Sequence, residues 1–156
     1  MATSLTLQQI GFIEYLKKRE NLINYKGQAA AAAEKGDMAL QGELLAKGLG
    51  ADVFLSSVSA VTEEGDIFAA DLSGTRVGGW FAAKHLVVVL GSNKIVANEA
   101  AAEKRLNDYQ LKLESARVRV AYKVPASAVI NKVAVRAANP FGPRTTVVIV
   151  KKSLGF

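Results

Sequence analysis

The stretch ADVFLSSVSAVTEEGDIFAADLSGTRVGGWFAAKHLVVVLGSNKIV, residues 51–96, decides how this chain folds. Its two apolar runs, 52–55 and 85–90, have the length and continuity of strands buried on both faces. Between them lie two polar segments, Thr62-Glu63-Glu64-Gly65-Asp66 and Asp71-Leu72-Ser73-Gly74-Thr75-Arg76. Buried strands flanking polar, glycine-containing loops are how open α/β sheets present a site. Loops outside strand ends expose side chains without leaving buried backbone groups unpaired.

Working outward, residues 59–62 and 67–72 straddle the Glu63–Asp66 turn as a hairpin, and 74–83 read as a short helix weakened by Gly78-Gly79. Upstream, residues 6–19 form an amphipathic helix: Thr6 caps it with Gln9 three positions on, and Leu7, Ile10, Ile13 and Leu16 follow at helical spacing. Residues 21–25 (NLINY) read as a short strand, 29–33 favour helix, and Asp37 caps a helix over 38–47. Downstream, 98–117 is the longest helix. Residues 118–124 alternate weakly, as a strand or an extended crossing, and 129–135 make a turn of helix between prolines. Residues 145–150 are a last buried strand. Strands interleaved with helices indicate a single α/β domain with a mostly parallel sheet and flanking helices.

The totals narrow the chemistry. The 156 residues are enough to bury a core without disulfides or metal. No cysteine means no thiolate ligand or cysteine nucleophile, and one histidine, His85, leaves a zinc or non-haem iron site of the usual kind short of ligands; no metal, haem or iron–sulfur cluster is expected, while an oxygen-ligand magnesium site stays open. The formal net charge of +6 favours anionic partners. The basic residues are scattered and carry no interleaved aromatics, which argues against nucleic acid. No basic-then-apolar leader and no apolar run of roughly 18 residues is present, so the expectation is a soluble, cytoplasmic protein without a membrane partner.

The central stretch resembles the LUD family, the lactate-utilisation proteins and their relatives. The residues that carry the resemblance are the strand at 52–55, the Ala-x-Thr-Glu-x-Gly turn at 60–65 and the Asp-x-x-Gly-x-Arg-Val segment at 71–77. The valine-rich strand at 86–89, Asn93-Lys94-Ile95-Val96 and the closing Ser153-Leu154-Gly155-Phe156 complete it. Against the family pattern it resembles a shortened member, either naturally reduced or cut from a longer protein. It lacks the usual N-terminal region, has Ala2-Thr3 where glycines stand before the first helix, and has no cysteine-containing insertion before the last strand. The resemblance implies a fold similar to the CoA-transferase and sugar-phosphate-isomerase group. It also implies a role in organic-acid utilisation beside iron–sulfur oxidoreductase subunits.

Each candidate residue has a structural alternative. Ser4 and Thr6 sit at a helix start, suited to an anion or simply to capping. Glu63 is the best candidate for a catalytic carboxylate, with Glu64 beside it, since a turn can hold it over a substrate; a polar hairpin turn selects the same residues. Asp71, Ser73, Gly74, Thr75 and Arg76 form a ligand loop in which Arg76 clamps a carboxylate or phosphate, or else Asp71 and Arg76 fix the loop between them. Asn93 and Lys94 follow the clearest strand, where ligands bind in open sheets, or Lys94 is a solvated cap. His85 reads as structural, and Trp80 and Phe81 as core. The leading reading is a domain binding a small anionic ligand, as an accessory subunit. The alternatives are an enzyme of the CoA-transferase or isomerase type using Glu63, and a non-catalytic module that assembles as a homo-oligomer, a dimer in the first instance, by covering an unpaired sheet edge.

Overall fold

The computed structural model describes residues 4–71, 74–123, 125, 131–135 and 144–156. The central stretch supplies β1 (Val53–Ser56), β2 (Ala60–Thr62), β3 (Ile67–Asp71), α5 (Thr75–Ala82), β4 (His85–Gly91) and β5 (Ile95–Val96). Ahead of it lie α1 (Leu5–Gln9), α2 (Phe12–Lys17), α3 (Tyr25–Glu34) and α4 (Met38–Leu49). After it come α6 (Glu99–Arg105), α7 (Leu111–Tyr122), β6 (Asn131–Val135) and β7 (Thr145–Val150).

The protein is α/β, and its strands divide between two sheets. One is parallel, in the order β1-β4-β7, with Val53 opposite His85 and Leu86 opposite Thr145. The other has the order β5-β2-β3-β6; β2 and β5 are parallel, while β3 is antiparallel to both β2 and β6. The chain therefore passes from the first sheet into the second twice, at residues 57–59 after β1 and at 92–94 after β4. Because β1 pairs with β4 and β2 pairs with β5, the two crossings run side by side. That adjacency positions the site.

The core gathers Phe54, Val58, Ile67, Trp80, Leu86, Val88 and Leu90, each no more than 3% exposed. Burying such side chains contributes about 1.5–3 kcal/mol apiece. Gly79 lets α5 lie close on β1: a Cβ there would meet the Phe54 ring at 2.2 Å. The glycine pair that weakens the helix locally is thus what its packing demands. Trp80 is 1% exposed, as read from the sequence, but Phe81 is 60% exposed because it lies on the solvent side of the same helix. Residues 145–150 are a strand but not the buried one expected: β7 is the edge of the parallel sheet and leaves Val147, Val148 and Ile149 exposed at 40%, 41% and 50%.

Several elements depart from the sequence pattern. Residues 21–25 are not a strand. Asn24 turns there, and its Oδ1 accepts from the Gly27 amide at 3.0 Å to cap α3. Of the apparent alternation at 118–124, residues 118–122 continue α7, with Val118 buried and Val120 85% exposed; residue 124 lies outside the described residues. Residues 131–135 form β6 rather than helix, since β3 offers an open edge from Ile67 to Asp71 for them to pair with. The single helix over 6–19 is divided into α1 and α2 by a turn at 10–11. The long helix carries a π-helical turn at Leu106–Gln110 between α6 and α7. Among the described residues, no helix is long and apolar enough to cross a membrane.

Candidate functional site

The two crossings sit outside the C-terminal ends of β1 and β4, the edge at which open parallel sheets collect ligands. Residues 57–59 are almost wholly buried: Ser57 is 3%, Val58 1% and Ser59 1% exposed. Lys94 on the neighbouring crossing is equally buried, at 3%. Its Nζ donates to Thr6 Oγ1 at 3.2 Å, Ser57 Oγ at 3.2 Å and Val58 O at 3.0 Å. Three acceptors match the three protons of an ammonium. No carboxylate joins them: the ion pairs among the described residues do not include Lys94.

Arg105 of α6 fastens the same two crossings from another side. Its Nη1 donates to Ser59 O at 2.9 Å and its Nε to Asn93 O at 3.4 Å, while the guanidinium lies over the Tyr109 ring at 5.2 Å. Burial, followed by repulsion from Arg105 and then Arg76, pushes the Lys94 amine down to about 7. Burial also lowers Arg105 and Arg76 from the ordinary guanidinium range. Lys26, at the start of α3, is lowered by burial and then by Arg76, with Asp71 acting in the opposite direction. Lys94, itself buried, is thus repelled by two half-buried guanidinium groups, one of which is drawn in turn to Asp71 and Glu114.

The segment 153–156, after β7, closes over this cluster. Leu154 is buried; its amide donates to Asn93 Oδ1 at 3.0 Å and its carbonyl accepts from Thr6 Oγ1 at 3.4 Å. The Gly155 amide donates to Gln9 Oε1 at 2.6 Å. Gly155 takes φ +62, and a Cβ on it would stand 2.6 Å from Thr6 Oγ1 and 3.2 Å from Lys94 Nζ. Only glycine meets both the backbone conformation and the space. Loops following all three parallel strands therefore converge with the first helix on one buried ammonium.

Of the residues read from the sequence, Thr6, Asn93 and Lys94 come together here. Lys94 is not a solvated cap; the hydroxyls and the carbonyl hold it inside. Ser4 caps α1, its Oγ accepting from the Leu7 amide at 3.3 Å. Asp71 caps α5: its Oδ2 accepts from the amides of Arg76 at 2.6 Å and Val77 at 3.1 Å. Gly74, at φ +78, is the residue before α5, Thr75 is its first residue, and Arg76 Nη1 donates to Ala70 O at 3.1 Å. Ser73 lies outside the described residues. Glu63 is exposed on its turn, as is Glu64. Four residues along β2 at about 3.3 Å each put Glu63 on the order of 13 Å from Ser59, away from the cation cluster. His85 Nε2 lies 2.9 Å from Thr146 Oγ1, within the parallel sheet. Among the described residues, no group of three or more histidines, aspartates or glutamates is placed to hold a metal ion.

Ser57, Ser59, Lys26 and Arg105 were not singled out from the sequence, and Leu154-Gly155 entered only through the family resemblance and not as part of a site. The signal for Ser57 and Ser59 was present: they are polar residues directly after a buried strand. Arg105 and Lys26 carried none, because a basic residue on an amphipathic helix reads as solvated.

Comparison with known proteins agrees with the central stretch. The family model described as the LUD domain matches residues 1–150. No curated protein and no solved structure matches. The chain belongs to the LUD domain family.

Proposed function

We propose that this LUD domain binds a small anionic ligand, a carboxylate or phosphate ester, against the paired crossings. It does so as an accessory subunit of organic-acid utilisation, beside iron–sulfur oxidoreductase subunits. The observation that carries the binding is Lys94: a buried ammonium facing hydroxyls, a carbonyl and other cations, with no carboxylate among its partners. Burying a charge without a counter-charge costs several kcal/mol. A tether between two loops does not need a cation, whereas an anion-binding site does. The position outside the C-terminal strand ends supports the same reading, and the family's resemblance to lactate-utilisation proteins is what suggests the accessory role.

Isothermal titration of the intact chain with small carboxylates and phosphate tests this. The expected result is a binding heat that is lost in Lys94→Met and weakened in Arg105→Gln. Heats unchanged by both substitutions would place any anion elsewhere and overturn the reading.

A further inference from the structure

The charge of the chain is unevenly placed. Residues 1–114 hold twelve lysines and arginines against fourteen aspartates and glutamates, whereas residues 115–156 hold eight lysines and arginines and no acidic residue. Such an asymmetry draws anionic partners to one part of the sequence. The edge strand β7 lies in that part, and none of its six residues is the proline or charge with which edge strands block further pairing. Its register fixes which backbone groups are free. Leu86 lies opposite Thr145, and the Leu86 amide donates to Arg144 O at 2.9 Å. The backbone of Arg144, Thr146, Val148 and Val150 therefore turns towards β4. Thr145, Val147 and Ile149 aim their N–H and C=O groups the other way, where no strand lies among the described residues. Consecutive side chains point to opposite faces, so the exposure of Val147, Val148 and Ile149 leaves β7 uncovered on both. A parallel sheet is ordinarily covered on each.

We propose that β7 accepts a further strand from a partner protein, an apolar, β-branched segment with acidic residues at the end that lies beside Lys151 and Lys152. Both lysines are exposed and make no ion pair among the described residues. Arg144, at the other end of β7, is engaged by Ala83 O and Trp80 O, so the lysine pair is where the partner's charge is read. The outward N–H and C=O groups supply affinity through the main chain, and the lysines supply selectivity. A second copy of this chain fits less well. Two β7 strands paired antiparallel about a two-fold axis set the Lys151-Lys152 end of each beside the Arg144 end of the other, and like charges placed opposite are destabilising. Nucleic acid would meet the lysines but not the apolar side chains before them.

The test reads backbone amide exchange in the intact protein by NMR at low ionic strength. The probes are two synthetic peptides alternating valine and threonine, one ending in glutamates and one in lysines, and a short DNA duplex. In the protein alone, the outward amides of Val147 and Ile149 are expected to exchange at least roughly tenfold faster than the β4-bonded amides of Val148 and Val150. The glutamate-ended peptide should slow the outward pair at least roughly tenfold, and the lysine-ended peptide and the duplex should not. Val147→Pro removes an outward donor and no bond to β4, so it keeps the fold and loses the protection at Ile149. Lys151→Glu combined with Lys152→Glu reverses the preference between the peptides. Equal protection by both peptides, or protection by the duplex alone, overturns the acidic strand, as does no protection by any probe. Outward amides already slow without a probe also overturn it: the edge is then covered by a second copy if dilution restores fast exchange, and by the chain itself if not. The wild-type comparison decides by itself, so a variant that fails to fold does not block the answer.

Discussion

The Nζ of Lys94 lies 3.2 Å from Oγ1 of Thr6, across 88 residues of sequence. The same hydroxyl accepts from Ser57 Oγ at 3.2 Å and donates to Leu154 O. One threonine thus joins the first helix, both crossings and the segment after the last strand. The hydrogen bonds order the ammonium without neutralising it, and both its stability effects and its binding follow from that.

Lys94 makes folding depend on pH. Its folded value of about 7 lies below its ordinary 10.5, so between these the unfolded chain binds the extra proton. The sign is therefore positive: this group's contribution to stability improves as pH rises through that window. At its steepest the slope is about 1.4 kcal/mol per pH unit. Arg105 and Arg76 are the charged groups that lower it, and a guanidinium stays protonated in proteins. Urea unfolding at several pH values from 7 to 10 is expected to show this rise in the wild type and its loss in Lys94→Met. Equal slopes would mean the amine is not perturbed.

Thr6→Val and Ser57→Ala each remove an acceptor from the buried ammonium. Each is expected to destabilise by about 1–3 kcal/mol, the cost of leaving a buried polar group short of a partner. Combined with Lys94→Met, the losses should fall short of additive by about 0.5–3 kcal/mol, since the groups share one network. Strict additivity in a double-mutant cycle would contradict the network.

Gly155→Ala brings a methyl within 2.6 Å of Thr6 Oγ1 at a φ of +62. Gly36→Ala, at φ +77 with nothing within 4 Å, is the matched control for the backbone cost alone. The control should lose about 1 kcal/mol and Gly155→Ala clearly more, within the ~1–3 kcal/mol typical of such strain plus the contact. Equal losses in denaturant titrations would show that residue 155 does not press on the cluster.

Glu63→Gln separates binding from the carboxylate chemistry that the turn suggested. Glu63 is exposed and stands on the order of 13 Å along the strand from Ser59, beyond one screening length at physiological salt. Malonate affinity is expected to be unchanged in this variant. A collapse of affinity would bring Glu63 back to the site.

The parts of this fold legible in the sequence were those set by local patterns. The runs at 52–55 and 85–90 read as strands because short apolar stretches bounded by polar residues or glycine suit a sheet, though only β4 is buried along most of its length and Val53 of β1 is 54% exposed. The hairpin around Gly65 followed from its turn residues, and Asn93 and Lys94 were found by their place after a strand. The division into two sheets was not legible, because β2 and β5 are short continuations whose partners are set by the paired crossings. Ser57-Val58-Ser59 looks like a linker until Lys94 arrives from the next crossing. Phe81 and Trp80 are adjacent and equally apolar, and only the rotation of α5 decides which is buried. Residues 21–25 show the limit of short apolar patterns, since one asparagine cap outweighed them.

The most direct test is proton uptake on ligand binding. An anion beside Lys94 must raise its pKa, so binding at a pH somewhat above 7 draws a proton from solvent. Malonate titrations near pH 8, in two buffers of different ionisation enthalpy, read that proton as a difference between the measured heats. The account predicts uptake of a substantial fraction of one proton by the wild type. Binding without uptake in the wild type would contradict the claim that the buried ammonium is the centre of the site.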